Sequence, residues 1–383
     1  NIFSVWGIFM KLFKQLLVAP AALGLLAPIS ASASEVNFDA ISSYSENVVE
    51  VDSNSFKPLS SKETLLSGGE GLVDSHDHDG SFSETTTATF SVDMLVGAVD
   101  TDISGVSEKT TFDYQMGIGL ETSFTGEDAL SATIDIGNAA SIVGGTDGLN
   151  FDSTSDALKL DGLTYTFPLG GATVMVGDNT DVSAVYTGAC AYSSFTDYMG
   201  NCGTGNSVGL GGKGATAAMS YAFDSGFSLA GGVSSTPTGI MTTLDDAYGI
   251  EAAYTADSYG LSVAYSDVES TANGDATYWG VNGMYAFDFA TLSAGVESED
   301  PTSGSTKTGF FVGLSFPEVG AGTLDIGMGT TGNFASSDTE YYLYEASYAY
   351  PVNDGMTITP GVSYRETAAG DVTAIAVKTS FSF

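Results

Sequence analysis

The stretch Asp371–Phe383, DVTAIAVKTSFSF, decides the fold class, because its side chains alternate between two faces of an extended strand. Ile375, Val377 and Phe381 share one face, and Lys378 and Ser380 share the other. Successive side chains of a β-strand point to opposite sides, so period two predicts one apolar and one polar face. The stretch is long enough to cross a bilayer, since a tilted strand needs about 9–11 residues.

The same alternation recurs upstream from Thr86 and predicts about sixteen strands, most of them near ten residues long. In Leu158–Phe167 the alternation slips at Asp161-Gly162, which predicts a β-bulge. Pairing of the last strand with Thr86–Ala98 would close the sheet and remove both of its edges.

The connections alternate as well: short turns follow even-numbered strands, and generally longer, polar loops follow odd-numbered ones. This pattern and an even strand number are typical of transmembrane barrels. Aromatic residues lie beside the short turns on the apolar face, as membrane–water interfaces favour: Phe167, Phe223, Phe227, Tyr254, Tyr259, Tyr285, Phe287, Phe316, Tyr348 and Tyr350. We therefore predict an all-β, transmembrane antiparallel β-barrel of about sixteen strands. A secreted acidic β-sandwich adhesin is the alternative, in which these aromatic residues would be ordinary core residues.

Composition narrows the function classes. The chain of 383 residues has 10 Lys+Arg against 47 Asp+Glu, a formal net charge of −37. Such acidity argues against nucleic acid as a partner and favours a surface that gathers cations.

Three regions are expected along the chain. Residues 1–33 hold read-through before Met10 and a signal peptide ending near Ala31-Ser32-Ala33; an uncleaved membrane anchor is the alternative. Residues 34–84 form an acidic, poorly ordered periplasmic extension, and 85–383 form the barrel. His76 and His78 stand among aspartates in the extension, but the calcium-loop spacing fails, which favours a solvated linker over a metal site.

Catalytic motifs are weak. Gly205–Gly209 formally matches G-x-S-x-G, but it lies in a glycine-rich loop, and the predicted barrel contains no histidine partner. We predict no enzyme activity, no cofactor and no metal, with an outer-membrane barrel enzyme as the alternative function.

The polar face of the strands should line the interior of a barrel of this size. The predicted pore-lining residues are Asp93, Asp113, Glu121, Asp135, Glu251, Glu297, Lys307, Asp325 and Glu345. Arg365 and Lys378 add two inward bases. The excess of acids predicts a mild cation preference, limited by salt screening.

The longest irregular stretch is Asp178–Gly212, which falls between the fifth and sixth strands and holds both cysteines. A loop of about 35 residues is unusual in a compact domain and is commonly functional. Cys190 and Cys202 can form a disulfide in an oxidising compartment, and two free thiols are the alternative.

Four stretches resemble cyanobacterial outer-membrane porins, related to the carbohydrate-selective porin family. They are LLVAPAALGLLAP (16–28), FSETTTATFSVDMLVGAVD (82–100), TYTFPLGGATVMVG (164–177) and KGATAAMSYAFDSGFSLAGGVSS (213–235). The chain departs from these porins in the short 34–84 region, where they carry a surface-layer-homology domain and a coiled coil.

The resemblance implies an outer-membrane homotrimer that lets small hydrophilic solutes and inorganic ions diffuse through it. Phe381 and Phe383 would form the barrel assembly signal. The third long loop would fold inward and make an acidic, aromatic constriction, and its predicted residues are Asp178, Asp181, Tyr186, Tyr192, Asp197, Tyr198, Arg365 and Lys378.

Overall fold

A computed structural model describes residues 86–106, 108–138, 154–196, 214–237, 245–269, 274–330 and 340–383. The regions predicted as signal peptide and acidic extension lie outside these residues. The strands in chain order are β1 (Thr86–Thr101), β2 (Thr110–Thr122), β3 (Ala129–Gly137), β4 (Lys159–Leu169), β5 (Ala172–Thr180), β6 (Gly214–Ala222), β7 (Phe227–Ser235), β8 (Asp246–Thr255), β9 (Tyr259–Val268), β10 (Ala276–Ala286), β11 (Thr291–Pro301), β12 (Lys307–Val319), β13 (Gly322–Thr330), β14 (Tyr342–Asn353), β15 (Met356–Thr367) and β16 (Gly370–Ser382).

These sixteen strands form one closed barrel in which each strand pairs antiparallel with its neighbours in the sequence. β1 pairs with β16 in a register that sets Val96 opposite Val377. The predicted strand number and closure are thus confirmed. Closure gives every strand a partner on both sides, so the sheet has no free edge. The closed barrel also excludes the β-sandwich.

The distribution of apolar side chains is the inverse of that in a soluble protein. The apolar residues Ile250 on β8 and Leu261 on β9 are exposed, at 61% and 50%. The polar residue that follows each of them, Glu251 or Ser262, is buried, at 2% and 0%. The outer face is therefore apolar and the inner face polar, as the alternating sequence predicts. Among the described residues, no helix is long and apolar enough to cross a membrane.

Aromatic rings form two levels on the outer face. Five strands carry two outward rings six residues apart: Tyr248 and Tyr254, Tyr259 and Tyr265, Trp279 and Tyr285, Phe310 and Phe316, Tyr344 and Tyr350. Six residues of strand span about 20 Å before tilt. Rings at the level beside the short turns contact one another: the ring centroids of Phe227 and Tyr254, for example, lie 4.7 Å apart. Two such levels suit the two interfaces of a lipid layer.

The predicted bulge lies where the sequence indicates, and one connection departs from the predicted pattern. Thr133 pairs with Gly162 and Ile134 with Leu160, so Asp161 is the extra residue of a bulge. One connection differs from the pattern of longer loops after odd strands, because β15 and β16 are joined by the two-residue turn Ala368-Ala369. Phe383, beyond β16, stacks on Phe90 at 5.6 Å between ring centroids.

The turn between β2 and β3 is organised by a single carboxylate. One oxygen of Asp128 accepts hydrogen bonds from the backbone N–H groups of Phe124 and Thr125 and from the hydroxyls of Ser123 and Thr125, at 2.7–2.9 Å. Its other oxygen accepts from the Tyr165 hydroxyl at 2.7 Å. The Tyr165 hydrogen bond, with the other donors, lowers the pKa of Asp128 well below its ordinary value.

We expect Asp128→Ala to lower the urea midpoint of barrel unfolding, because five donors lose their shared acceptor. Glu127→Ala, at the exposed neighbouring position, is the control and should leave the midpoint unchanged. The Asp128 contribution should fade as the pH falls below the ordinary carboxyl range, since its folded-state pKa is depressed. Equal midpoints for both variants would contradict this role.

Candidate functional site

The long loop follows β5 and begins with a short 3-10 helix, Val182–Val185. Asp181 caps this helix: its side chain accepts a hydrogen bond from the backbone N–H of Ser183 at 2.8 Å and another from the Ser183 hydroxyl. Val182 is fully buried against Met175 of β5, Ala247 of β8 and other inner-face residues. A polar cap and an apolar contact thus turn the chain inward as it leaves β5.

Residues 186–196 then contact the inner face strand by strand, in barrel order. The Tyr186 hydroxyl lies over Gly249 of β8. The Thr187 N–H donates to Glu251 of β8 at 2.5 Å, and the Ala191 N–H donates to the Ser293 hydroxyl of β11 at 3.0 Å. This part of the loop therefore fastens its own backbone to side chains of the barrel wall.

Glu345 of β14 holds the far end of the segment. Its Oε1 accepts from the Tyr192 hydroxyl at 2.7 Å and from the Phe195 N–H at 2.9 Å. Its Oε2 accepts from the Thr196 N–H at 3.0 Å and from the Thr196 hydroxyl at 2.6 Å. Burial raises the pKa of Tyr192, and the nearby Glu345 charge adds to the effect, so this hydroxyl stays protonated and donates.

Aromatic side chains of the loop rest on small or apolar inner-face residues. Tyr192 packs with Phe311 and Leu343, and its ring covers Gly313. Phe195 covers Gly361 of β15 and packs on the apolar cluster that includes Leu95 and Val372 at the β1–β16 seam. A Cβ at either glycine would overlap the ring above it, so both positions require close approach.

These contacts reach across the barrel. β8 and β16 are eight strands apart in a ring of sixteen, hence on opposite sides. The step from Thr187 to Phe195 covers at most about 28 Å of extended chain. Only a path along the interior joins the Thr187 contact on β8 to the Phe195 contacts on β15, β16 and β1.

The segment leaves two unequal walls. On the inner faces of β9 and β11, Ser262, Ser266 and Ser293 are at most 1% exposed. On β2 and β3, by contrast, Glu121 and Thr133 remain exposed. A cavity of about 270 Å³ lies at the foot of the loop, and its lining residues include Ser131, Thr133, Asp161, Thr164, Asp181 and Ser183. We name β2–β4 the open wall and β8–β15 the covered wall.

The residues predicted to line the pore divide between these environments. Half-buried or exposed are Asp93, Glu121, Asp135, Lys307 and Lys378. Buried are Asp113, Glu251, Glu297, Asp325, Glu345 and Arg365. Glu251 and Glu345 accept hydrogen bonds from the loop, and Asp325 accepts one from Ser315 at 2.5 Å. The carboxylates of Glu251 and Glu345 thus hold the loop and do not line an open surface.

The predicted constriction residues are only partly within the described chain. Asp178 is exposed at the end of β5, Asp181 caps the 3-10 helix, and Tyr186 and Tyr192 lie against the covered wall. Arg365, on the inner face of β15, sits opposite Leu343. Cys190 is disulfide-bonded, and the sequence has one other cysteine, Cys202. Asp197, Tyr198 and Cys202 lie outside the described residues.

Sequence reasoning missed the surface on which the loop rests. Leu95 and Val99 share a face with Asp93, which marks apolar residues on the polar side of a strand. Gly313 and Gly361 also stand on polar-face positions, where they admit the rings. Lys159 pairs with Asp135 across β3 and β4 and is a further inward base, which the alternation alone does not reveal because the bulge at Asp161 shifts it. The sequence does signal this surface, because apolar residues and glycines stand at positions of the polar face. Their role is clear only once the location of the loop is known.

A closed antiparallel barrel with an apolar exterior and a polar interior belongs to the transmembrane β-barrel class. Among solved structures, the chain is similar to OprB of Pseudomonas putida, at 11% identity and a TM-score of 0.63 over 78% of this chain and 94% of that one. It is similar to an anion-selective porin from Comamonas acidovorans, at 14% identity and a TM-score of 0.56 over 78% and 99%. A mutant of the Rh. blastica porin matches at 16% identity and 0.54 over 78% and 100%.

At these identities the likeness shows a shared fold. No protein-family model matches the chain. No curated protein matches it either.

We expect Glu345→Ala to detach the loop from the covered wall. Four donors would lose a charged acceptor, at about 1–3 kcal/mol for each that stays buried and unpaired. Limited proteolysis of the folded barrel should then cut within 186–196, where we expect the native chain to resist cleavage. Glu121→Ala, an exposed inner-face carboxylate, is the control. Resistance equal to that of the native chain would show that Glu345 does not hold the loop.

Proposed function

We propose that this protein is an outer-membrane porin, a water-filled channel through which small hydrophilic solutes and ions diffuse passively. The observation that carries the proposal is the closed sixteen-stranded barrel with exposed apolar residues outside and polar residues inside. Such an exterior is stable only against lipid, because large exposed apolar surfaces are otherwise costly in water. A polar interior in a barrel of this size accommodates water.

The loop after β5 would narrow this channel. Its described part contacts inner-face residues of β8, β11 and β14, so we expect solutes to pass along the open wall of β2–β4. The cavity beside Asp161, Thr164 and Asp181 presents carboxylates and hydroxyls to a passing solute. We place the narrowest point between the loop and this wall.

A mild cation preference follows from the acids on and beside the open wall. Asp93, Glu121, Asp135, Asp161 and Asp181 stand against the bases Lys159 and Lys378. The count is smaller than the sequence alone indicates, because Glu251, Glu297, Asp325 and Glu345 are buried. Salt screens such charges over about 8 Å at physiological ionic strength, so the preference should be weak. The Comamonas porin of similar fold is anion-selective, so fold alone does not determine the sign.

Trimeric assembly and kinship with cyanobacterial, carbohydrate-selective porins rest on the sequence resemblance. An outer-membrane barrel enzyme is the alternative function. Gly205–Gly209, the one stretch matching a hydrolase motif, lies outside the described residues, and no feature of the described chain favours catalysis over passage.

The purified, folded protein should conduct ions in a planar bilayer, and deletion of Ala189–Gly203 should raise the single-channel conductance, because it removes the covering segment. The reversal potential in a salt gradient should take the sign of cation preference.

Folded, heat-modifiable protein without ion current would contradict the porin proposal. Unchanged conductance on deletion would put the constriction elsewhere, and anion selectivity would refute the charge argument.

A further inference from the structure

The outer face of β12–β15 contains an apolar groove that the proposed passage of solutes does not use. It is formed by two rows of outward side chains, each row with one residue per strand: Val312, Met328, Tyr344 and Tyr364, then Leu314, Ile326, Ala346 and Val362. The groove has a volume of about 490 Å³. Val312, Ile326 and Tyr344 are exposed, so the groove opens on the outside of the barrel and lies apart from the channel.

Ala346 marks the low point of the groove, because it is the smallest of these side chains. Its neighbours two residues away on β14, Tyr344 and Tyr348, share its face. Glu345 and Ser363 also line the groove although their buried side chains belong to the inner face. The backbone of β14 and β15 therefore forms part of the floor.

Two hydrogen bonds hold large side chains out of the groove. The Tyr348 hydroxyl donates to the carbonyl oxygen of Val319, the last residue of β12, at 2.7 Å, and its ring lies against Gly322. The Tyr364 hydroxyl donates to Asp371 of β16 at 2.7 Å. One ring is thus directed toward the short turn and the other toward β16, both away from the low point. The groove is therefore preorganised, which lowers the cost of filling it.

The groove lies at the depth of the membrane hydrocarbon. Tyr344 and Tyr350 belong to the two aromatic levels, and Ala346 stands between them on β14. Aromatic levels mark the two membrane–water boundaries, so lipid chains surround the groove. An unfilled hollow there would lose dispersion contacts along its lining, which favours an occupant. Because Tyr344 is near the long-loop end of its strand, the occupant enters from the leaflet on that side.

The size of the groove favours an alkyl chain over a second copy of the protein. A cavity of about 150 Å³ holds benzene, so a groove about three times as large has room for a chain of roughly ten or more carbons. A standard protein interface takes about 20–30 residues from each partner, far more than the outward side chains that form this groove.

Charges at the mouth of the groove distinguish between lipid head groups. Glu340, Glu366 and Asp371 stand on the outward side at the long-loop ends of β14, β15 and β16. The described bases of β12–β16 stand on the inner face: Lys307, Arg365 and Lys378. An acidic mouth repels an anionic head group and attracts one that carries an ammonium.

We propose that this groove binds one acyl chain of a phospholipid with an ammonium head group. The head group lies beside the acidic mouth, and the chain runs from the level of Tyr344 past Ala346. Lipid chains are as apolar as the lining, so close packing selects this chain from the surrounding lipid. The site is on the outside of the barrel and does not depend on whether the channel conducts.

The test is native mass spectrometry of the folded full-length protein, released from detergent after incubation with phosphatidylethanolamine or with phosphatidylglycerol of the same acyl chains. One phosphatidylethanolamine should stay bound per chain, and phosphatidylglycerol should be retained less. Ala346→Trp should weaken retention at least about tenfold, because the indole fills the space that the chain needs. Ala252→Trp, at an outward alanine of β8 outside the groove, is the matched control and should retain the lipid as the native chain does.

Ala346→Leu provides a smaller obstruction should the tryptophan variant fail to fold, and it should weaken retention in the same direction. Absence of retained lipid in the native chain, or equal retention by the Ala346 variants and the control, would overturn the proposal. Equal retention of the two lipids would overturn the assignment of the head group. Loss of an oligomer in the Ala346 variants with unchanged lipid retention would make a second copy the occupant and overturn the proposal. Retained lipid without channel current would leave this site standing and contradict only the porin proposal.

Discussion

Backbone hydrogen bonding in an apolar surrounding is the constraint on which the structure depends. Lipid offers no donors or acceptors, so each N–H and C=O group of a spanning strand needs a partner in the neighbouring strand. Pairing of β1 with β16 meets that demand by closing the ring. Closure in turn defines an inside and an outside, which gives the alternation along each strand its meaning: Ile250 and Leu261 face outward, and Glu251 and Ser262 face inward.

The interior is then divided by a short piece of chain. The segment from Asp181 to Thr196 uses polar anchors, at Glu251, Ser293 and Glu345, and aromatic anchors, at Tyr192 and Phe195. Polar anchors fix the register of the loop, because each backbone N–H meets one particular side chain. Aromatic anchors supply buried apolar area in an otherwise polar interior. Together they cover β8–β15 and leave most of the inner face of β2–β4 exposed or half-buried.

The fold could be predicted from the sequence because period-two alternation and turn length are local signals. Strand number, the bulge at Asp161 and closure by the last strand all follow from them. The site could be predicted only in outline. Inner-face position is a local property, but the burial of Glu345 depends on a loop some 150 residues earlier in the chain. The inward positions of Leu95 and Gly361 are likewise explained only by Phe195, which packs on both residues.

The central claim is that the loop covers one wall of the barrel and leaves the other open to water. Reaction of introduced cysteines with a membrane-impermeant thiol reagent tests it most directly, under non-reducing conditions. Thr133→Cys lies on the exposed inner face of β3, and Ser293→Cys lies beneath Ala191 on β11. The account predicts rapid labelling of the Thr133→Cys barrel and little or none of the Ser293→Cys barrel. Equal labelling of the two would contradict it.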